Sequence, residues 1–151
     1  MNGIVSADKI NLVNVKILKS NIEAGSSFSK DVKCEKSLLF NHDSGVNIND
    51  KNILITLNIK IDFKGVNEDQ SAIGEFKIQY LFHIENLEEL MRISVSETPN
   101  LSGELAATLM GIAYSTSRGI ILTSTENSVL GGILLPVVSP VKILEHKKPE
   151  E

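Results

Sequence analysis

Residues 51–64 read KNILITLNIKIDFK, and from Ile53 onward every odd position is apolar: Ile53, Ile55, Leu57, Ile59, Ile61 and Phe63. Thr56, Asn58, Lys60, Asp62 and Lys64 fall between them. Successive side chains of an extended chain point to opposite faces, so a period of two over this length predicts a long strand with one face buried and one wet. Residues 73–84 repeat the pattern, with Phe76, Ile78, Tyr80, Phe82 and Ile84 opposed to Glu75, Lys77, Gln79 and His83. Gly65-Val66-Asn67-Glu68-Asp69 supplies turn chemistry between the two runs and predicts an antiparallel pair. Ile10 to Lys19 and Val32 to Phe40 are weaker strand candidates, the first bulged where its alternation slips at Leu12-Val13. Asn41-His42-Asp43-Ser44-Gly45 reads as a turn or crossover. The first half therefore predicts a four-stranded antiparallel sheet.

The second half changes period. Thr98-Pro99 forms an N-cap and N1 pair, and Glu104 sits near the helix start, where the macrodipole favours an acid. Leu101, Leu105, Leu109, Ile112, Thr116 and Ile120 follow at spacings of three or four, beside the small residues Ala106, Ala107, Gly111, Ala113, Ser115 and Ser117. A short helix around Asn86 to Ile93 precedes this long one, and another is expected over Ser139 to His146; the charged tail Lys147 to Glu151 reads as frayed. From Leu105 to Leu144 only Arg118, Glu126 and Lys142 are charged in forty residues. The stretch includes Val129-Leu130-Gly131-Gly132-Ile133-Leu134-Leu135-Pro136-Val137-Val138, an apolar loop. Loops ordinarily run over the surface, so an apolar one implies cover by another subunit or a patch meant for a ligand.

Composition narrows the function. The chain has 151 residues, about one domain, with 42% hydrophobic and 23% charged residues, which excludes wholesale disorder. Lys and Arg number 15 against 19 Asp and Glu, for a net charge of −4, and only Arg92 and Arg118 carry guanidinium groups. A nucleic-acid or anionic-membrane binder would need a basic face. Cys34 has no second thiol to pair with. Met1 to Lys9 has no signal-peptide pattern. Ile120 to Val138 tempts a membrane reading, but Glu126 at mid-bilayer would cost about 3 kcal/mol. The expectation is a cytoplasmic protein that neither binds nucleic acid nor inserts in a membrane.

Chemistry is absent from the motifs. His42, His83 and His146 stand apart with no ligand-spaced companions, so no metal or cofactor is expected. Cys34 between Lys33 and Lys36 reads as a half-buried strand thiol. Gly131-Gly132 lacks phosphate-loop spacing, and Ser115-Thr116-Ser117 lacks the nucleophile elbow. The expectation is a protein without catalytic activity.

Four antiparallel strands, a long helix rich in small residues, an apolar loop and a short helix come in an order that resembles the SecB family of export chaperones. Leu81-Phe82-His83-Ile84, Pro99-Asn100, Ser117-Arg118-Gly119 and Leu135-Pro136-Val137-Val138 carry the likeness. It runs from about Ile10 to Leu144 and is specific from Tyr80 onward. The resemblance implies a single α+β domain over 1–151 and a homotetramer, a dimer of dimers, with long helices sandwiched between sheets. It also implies a holdase whose apolar grooves keep unfolded polypeptide without ATP. Relatives that guard antitoxins share the fold. The alternative is therefore an oligomeric binding module with one fixed partner, such as an antitoxin.

The candidate client-binding residues are Leu130, Ile133, Leu134, Leu135 and Val137, with Ile120, Leu122, Leu38 and Phe40 as walls. A plainer reading leaves part of this loop as core. Leu105, Leu109, Gly111, Ile112, Ala113 and Thr116 are the candidate oligomer interface, unless the small residues simply pack on the chain's own sheet. By resemblance, Glu23, Ile73 and Glu75 fall where the family docks the basic tail of the SecA motor. Lys16, Lys19, Lys60, Lys64 and Lys77 put positive charge on the same wet faces, so binding of that tail is expected to be weak or absent.

Overall fold

The structure, a computed structural model, describes residues 3–93 and 99–146. Its frame is a four-stranded antiparallel sheet in the order β1-β4-β3-β2, from β1 (Ile10–Ala24), β2 (Glu35–Asn47), β3 (Asn52–Lys64) and β4 (Ala72–Ile84). The alternation in β3 and β4 is realised: Ile53, Ile55, Leu57, Ile59 and Ile61 face inward beside Phe76, Ile78, Tyr80, Phe82 and Ile84, and only Phe63 at the end of its strand is half-buried. Register pins the two strands, because a slip of either by one residue would turn its apolar set into water. In β1 the register shifts between Leu12 and Asn14, where the alternation slips, and again between Ile17 and Lys19. Val13 and Leu18 are the extra residues, and each bulge returns the following apolar side chains to the inner face.

Several local expectations are corrected. Asn41 to Gly45 is not a turn but lies within β2. Its polar side chains find partners in the extended chain: Asn58 Nδ2 donates to Asn41 Oδ1 at 2.8 Å, and the Ser44 N–H donates to Asp43 Oδ1. The real turn follows at residues 48–51, where Asn47 Oδ1 accepts from the Asp50 N–H and Lys51 takes a left-handed φ of 59°. Beyond β4, the expected helix over Asn86 to Ile93 shrinks to α1 (Leu87–Leu90), which buries both leucines. Met91–Ile93 (β5) then pairs with Pro99–Leu101 (β6). Pro99 is therefore in a strand rather than at a helix start; Thr98, its expected cap, lies outside the described residues, as does the tail 147–151.

The long helix α2 (Gly103–Thr125) begins where Ser102 Oγ accepts from the Leu105 N–H, a cap that satisfies one orphan donor. Its buried face runs Leu105, Leu109, Ala113, Ser117, Ile121 and Thr125 in steps of four, with Met110 and Tyr114 alongside. The expected stripe follows this face only through Leu109; Ile112, Thr116 and Ile120 are half-buried. Ala113 and Ser117, expected on a flank, sit on the inner face because small side chains let the helix lie close to β3 and β4. Tyr80 of β4 meets Ser117 by a buried hydroxyl–hydroxyl hydrogen bond, and Ser117 Oγ donates to Ala113 O at 2.8 Å. By length and composition α2 could cross a membrane, yet eight of its residues are buried within this fold. Residues 126–139 carry the chain into the short helix α3 (Pro140–Leu144), which lies against α2 and β2.

Candidate functional site

Residues 126–139 form a strap over the end of α2, and side chains of the helix hold it by its backbone. Thr125 Oγ1 accepts from the Ile133 N–H at 2.7 Å and its carbonyl accepts from Gly132 at 2.9 Å. Arg118 Nε donates to Leu135 O at 2.9 Å, and Tyr114 Oη donates to Pro136 O at 2.6 Å. Gly131 and Gly132, at φ of 71° and 84°, make the left-handed turn that starts the strap. The backbone pinned in this way turns some side chains in and others out. Leu130, Ile133 and Leu135 go inward and are buried. Leu134 and Val137 go outward, 61% and 83% exposed, with Val129 exposed before them and Val141 after.

The candidate client residues are thus divided. Leu130, Ile133 and Leu135 are core of the strap rather than surface, because the anchored backbone directs them onto the sheet and helix. Leu134 and Val137 are open to a ligand, and the exposed Leu122 lies beside Gly132 at the strap's start. Phe40 packs near Tyr114, with ring centroids 6.4 Å apart, so β2 and the strap meet through the tyrosine that holds Pro136. Leu38 and Ile120 are half-buried against the core. Tyr114 and Arg118 are the strap-holding positions that periodicity missed. Arg118 was legible as one of three charges in forty residues and within the Ser117-Arg118-Gly119 likeness, and Tyr114 only as the one aromatic of the helix.

The candidate oligomer interface divides too. Leu105, Leu109 and Ala113 are buried against the chain's own sheet, where they offer nothing to another copy. Gly111 serves α3: a Cβ there would sit 3.3 Å from Pro140 Cγ. Ile112 and Thr116 remain partly exposed.

At the other edge of this site, His42 and His146 do not stand apart. The His42 N–H donates to His146 O at 3.1 Å, His42 Nε2 lies 2.9 Å from Leu144 O, and the His146 ring meets Phe40 edge-on. This contact fastens the end of α3 to the edge strand. His83 pairs with Asn52 on the opposite sheet face. Among the described residues no group of three or more His, Cys, Asp or Glu could hold a metal.

That opposite, outer face brings Glu23, Ile73 and Glu75 together, since Glu23 pairs with Ile73 and Glu75 is two residues along. The lysines are there as well. Lys19 forms an ion pair with Glu75, Lys60 lies opposite Glu75, and Lys77 lies opposite Lys19. The hydrogen bond from Lys19 holds the Glu75 carboxyl below its ordinary value, aided by the charges of Lys19 and Lys60 and opposed by desolvation.

No protein-family model matches the chain, and no curated protein matches it. Among solved structures the chain is similar to a SecB-like chaperone of Mycobacterium tuberculosis in complex with a ChAD peptide from the HigA1 antitoxin. The two share 14% identity over 88% of this chain and 92% of that chain, with a TM-score of 0.64. A protein of unknown function from Streptococcus agalactiae aligns at a TM-score of 0.42 and 15% identity, over 85% of this chain and 97% of that one. The fold of this chain is therefore SecB-like, as the residues from Tyr80 onward suggest.

Proposed function

We propose that this protein is an ATP-independent holdase chaperone, a single SecB-like domain over 1–151 that binds non-native polypeptide through the exposed side of the strap. The observation that carries the reading is an apolar surface held on purpose. Leu134 and Val137 point into solvent from a backbone fixed by Thr125, Arg118 and Tyr114, so the exposure is built rather than a loose loop's accident. Covering apolar surface yields about 25 cal/mol per Å², so a few such side chains hold a client weakly and without sequence specificity.

A homotetramer, a dimer of dimers in the cytoplasm, extends the reading. It is supported by the inner face of β1, where Leu12 and Ile17 are 39% and 51% exposed although their register partners Phe82 and Ile78 are buried. A second copy is the natural cover for such a face. Light scattering that finds a monomer at micromolar concentration sinks this part. A dedicated partner is the second reading, favoured by the antitoxin peptide bound to the Mycobacterium tuberculosis neighbour. Docking on the SecA motor through Glu23, Ile73 and Glu75 is disfavoured by Lys19, Lys60 and Lys77 among them.

Suppression of aggregation of a chemically denatured client tests the holdase directly. Leu134→Asp with Val137→Asp should abolish most of the suppression while circular dichroism and oligomer size stay unchanged. Undiminished holding by that variant rejects the strap as the client surface. Wild-type failure on several unrelated clients, together with capture of one peptide, selects the dedicated-partner reading.

A further inference from the structure

We infer that the outer face of the sheet carries a second, separate docking site, for an acidic extended peptide, in the depression bounded by Lys19, Lys60, Lys77 and Leu39. The depression is open, about 580 Å³, and spans all four strands. Its outward side chains come from two neighbouring rows. Strand register aligns Asn21, Glu75, Lys60 and Leu39 in one, and Lys19, Lys77, Asn58 and Asn41 in the next.

The charges in these rows do not balance. Three ammonium groups face one carboxylate, giving a local excess of two positive charges on a chain whose net charge is −4. Lys19 and Lys77 lie directly opposite each other, and like charges so placed are unfavourable. Lys19 escapes by pairing with Glu75, the one ion pair among the described residues, which leaves Lys60 and Lys77 without a carboxylate in contact. A ligand carboxylate over the second row would relieve the repulsion that the fold leaves in place. The amides of Asn58 and Asn41, joined at 2.8 Å, line the neutral wall. Leu39, 62% exposed and opposite Lys60, adds an apolar anchor at the β2 end.

The surroundings decide which anion fits. In the adjoining row Glu23 and Asp62 flank Ile73, so a continuous polyanion such as a nucleic-acid backbone would meet repulsion one step along the strands. A peptide need not be uniformly charged. Lying parallel to the strands, it repeats same-face side chains every two residues, about 6.6 Å, the same interval as the rows. It can set a carboxylate over Lys77 and an apolar side chain beside Leu39. The strap lies on the other face of the sheet, so this site is independent of the holdase reading.

The probe is a peptide of about eight residues that repeats Glu-Ser-Leu-Ser, so that its same-face positions alternate glutamate with leucine, titrated into the full chain while backbone amide resonances are followed. Saturable shifts should centre on Leu39, Lys60 and Lys77. Lys60→Glu with Lys77→Glu should weaken binding about tenfold or more, the milder Lys60→Gln with Lys77→Gln should weaken it less, and added salt should weaken it further. Leu134→Asp should leave it unchanged. The inference is overturned by shifts confined to residues 129–138, or by affinity within about twofold of wild type in both lysine variants. It is equally overturned if the lysine-for-glutamate peptide, or a short DNA of matched charge, binds as tightly.

Discussion

The central strands and the edge strands of this sheet obey the same alternation yet end in different surroundings. In β3 and β4 every inward side chain but the terminal Phe63 is buried, because α2 lies across those two strands. In β1 the inward Leu12 and Ile17 stay exposed, and in β2 the inward Leu38 and Phe40 are only half-buried, although α3 helps at that edge. One helix is about 10 Å wide with its side chains, whereas four strands at about 4.8 Å span nearly twice that. A lone helix therefore completes the core of two strands and leaves the flanks to something else. The difference separates what the chain stabilises by itself from what it holds open to partners.

The largest expected effect sharpens that contrast. Leu57→Ala removes a fully buried side chain at the centre of β3 and should cost about 2–5 kcal/mol at any protein concentration. Ile17→Ala on β1 should cost less than about 1 kcal/mol in dilute protein, and more as concentration rises if a second copy covers the edge. Urea unfolding at two concentrations measures both. Equal costs, independent of concentration, would break the comparison.

The centre of the sheet should also be alkali-sensitive. Burial pushes the Tyr80 hydroxyl up to about 12, with its Ser117 hydrogen bond opposing. A folded value above the ordinary one means the contribution is complete below about pH 10 and is lost as pH rises towards 12. Two units correspond to roughly 2–3 kcal/mol. Tyr80→Phe should flatten this loss, at a cost of about 1 kcal/mol at neutral pH, since Ser117 keeps Ala113 O as its acceptor. Tyr114, also raised by burial, should leave a residual slope. Identical alkaline curves for wild type and Tyr80→Phe would exclude Tyr80 as the cause.

The sequence made the central strands plain because their partners are within the pattern itself: period two, turn chemistry, and a register that only one pairing satisfies. The edges were less legible. Asn41 to Gly45 has turn composition, and what keeps it extended is distant, namely Asn58 across the strand and the backbone of His146 after α3. The strap's neutrality was visible, but whether Leu134 or Leu135 faces outward depends on bonds from Arg118 and Tyr114 that no spacing rule encodes. Likewise Ala113 and Gly111 read alike as small residues. One faces the chain's own sheet and the other its own α3.

Gly111 therefore tests whether small residues at this edge serve contacts within the chain. Gly111→Leu forces a side chain into the space held by Pro140 and should cost about 1–3 kcal/mol. The loss should loosen α3 first, so amide exchange should quicken at His42, whose N–H is bonded to His146 O. Unchanged exchange at His42 combined with dissociation of an oligomer would return Gly111 to the interface between copies.

The smallest effect belongs to the outer face, where the edge meets the centre through Lys19 and Glu75. The side chains of the pair are 51% and 35% exposed, so water and salt screen their attraction, and Lys19→Gln should cost no more than about 1 kcal/mol. Its pH dependence has a definite sign. Lys19 holds the Glu75 carboxyl below its ordinary value, so the contribution is complete above about pH 4.5 and is lost as pH falls through the lowered value. Wild type and Lys19→Gln should differ in urea midpoint at about pH 7 and converge at about pH 3. A gap that persists in acid would assign the stabilisation to the lysine's aliphatic stem on β4 instead of its charge. That outcome would also leave Lys19 free to face Lys77, and the positive excess on this face would then be larger than the ion pair allows.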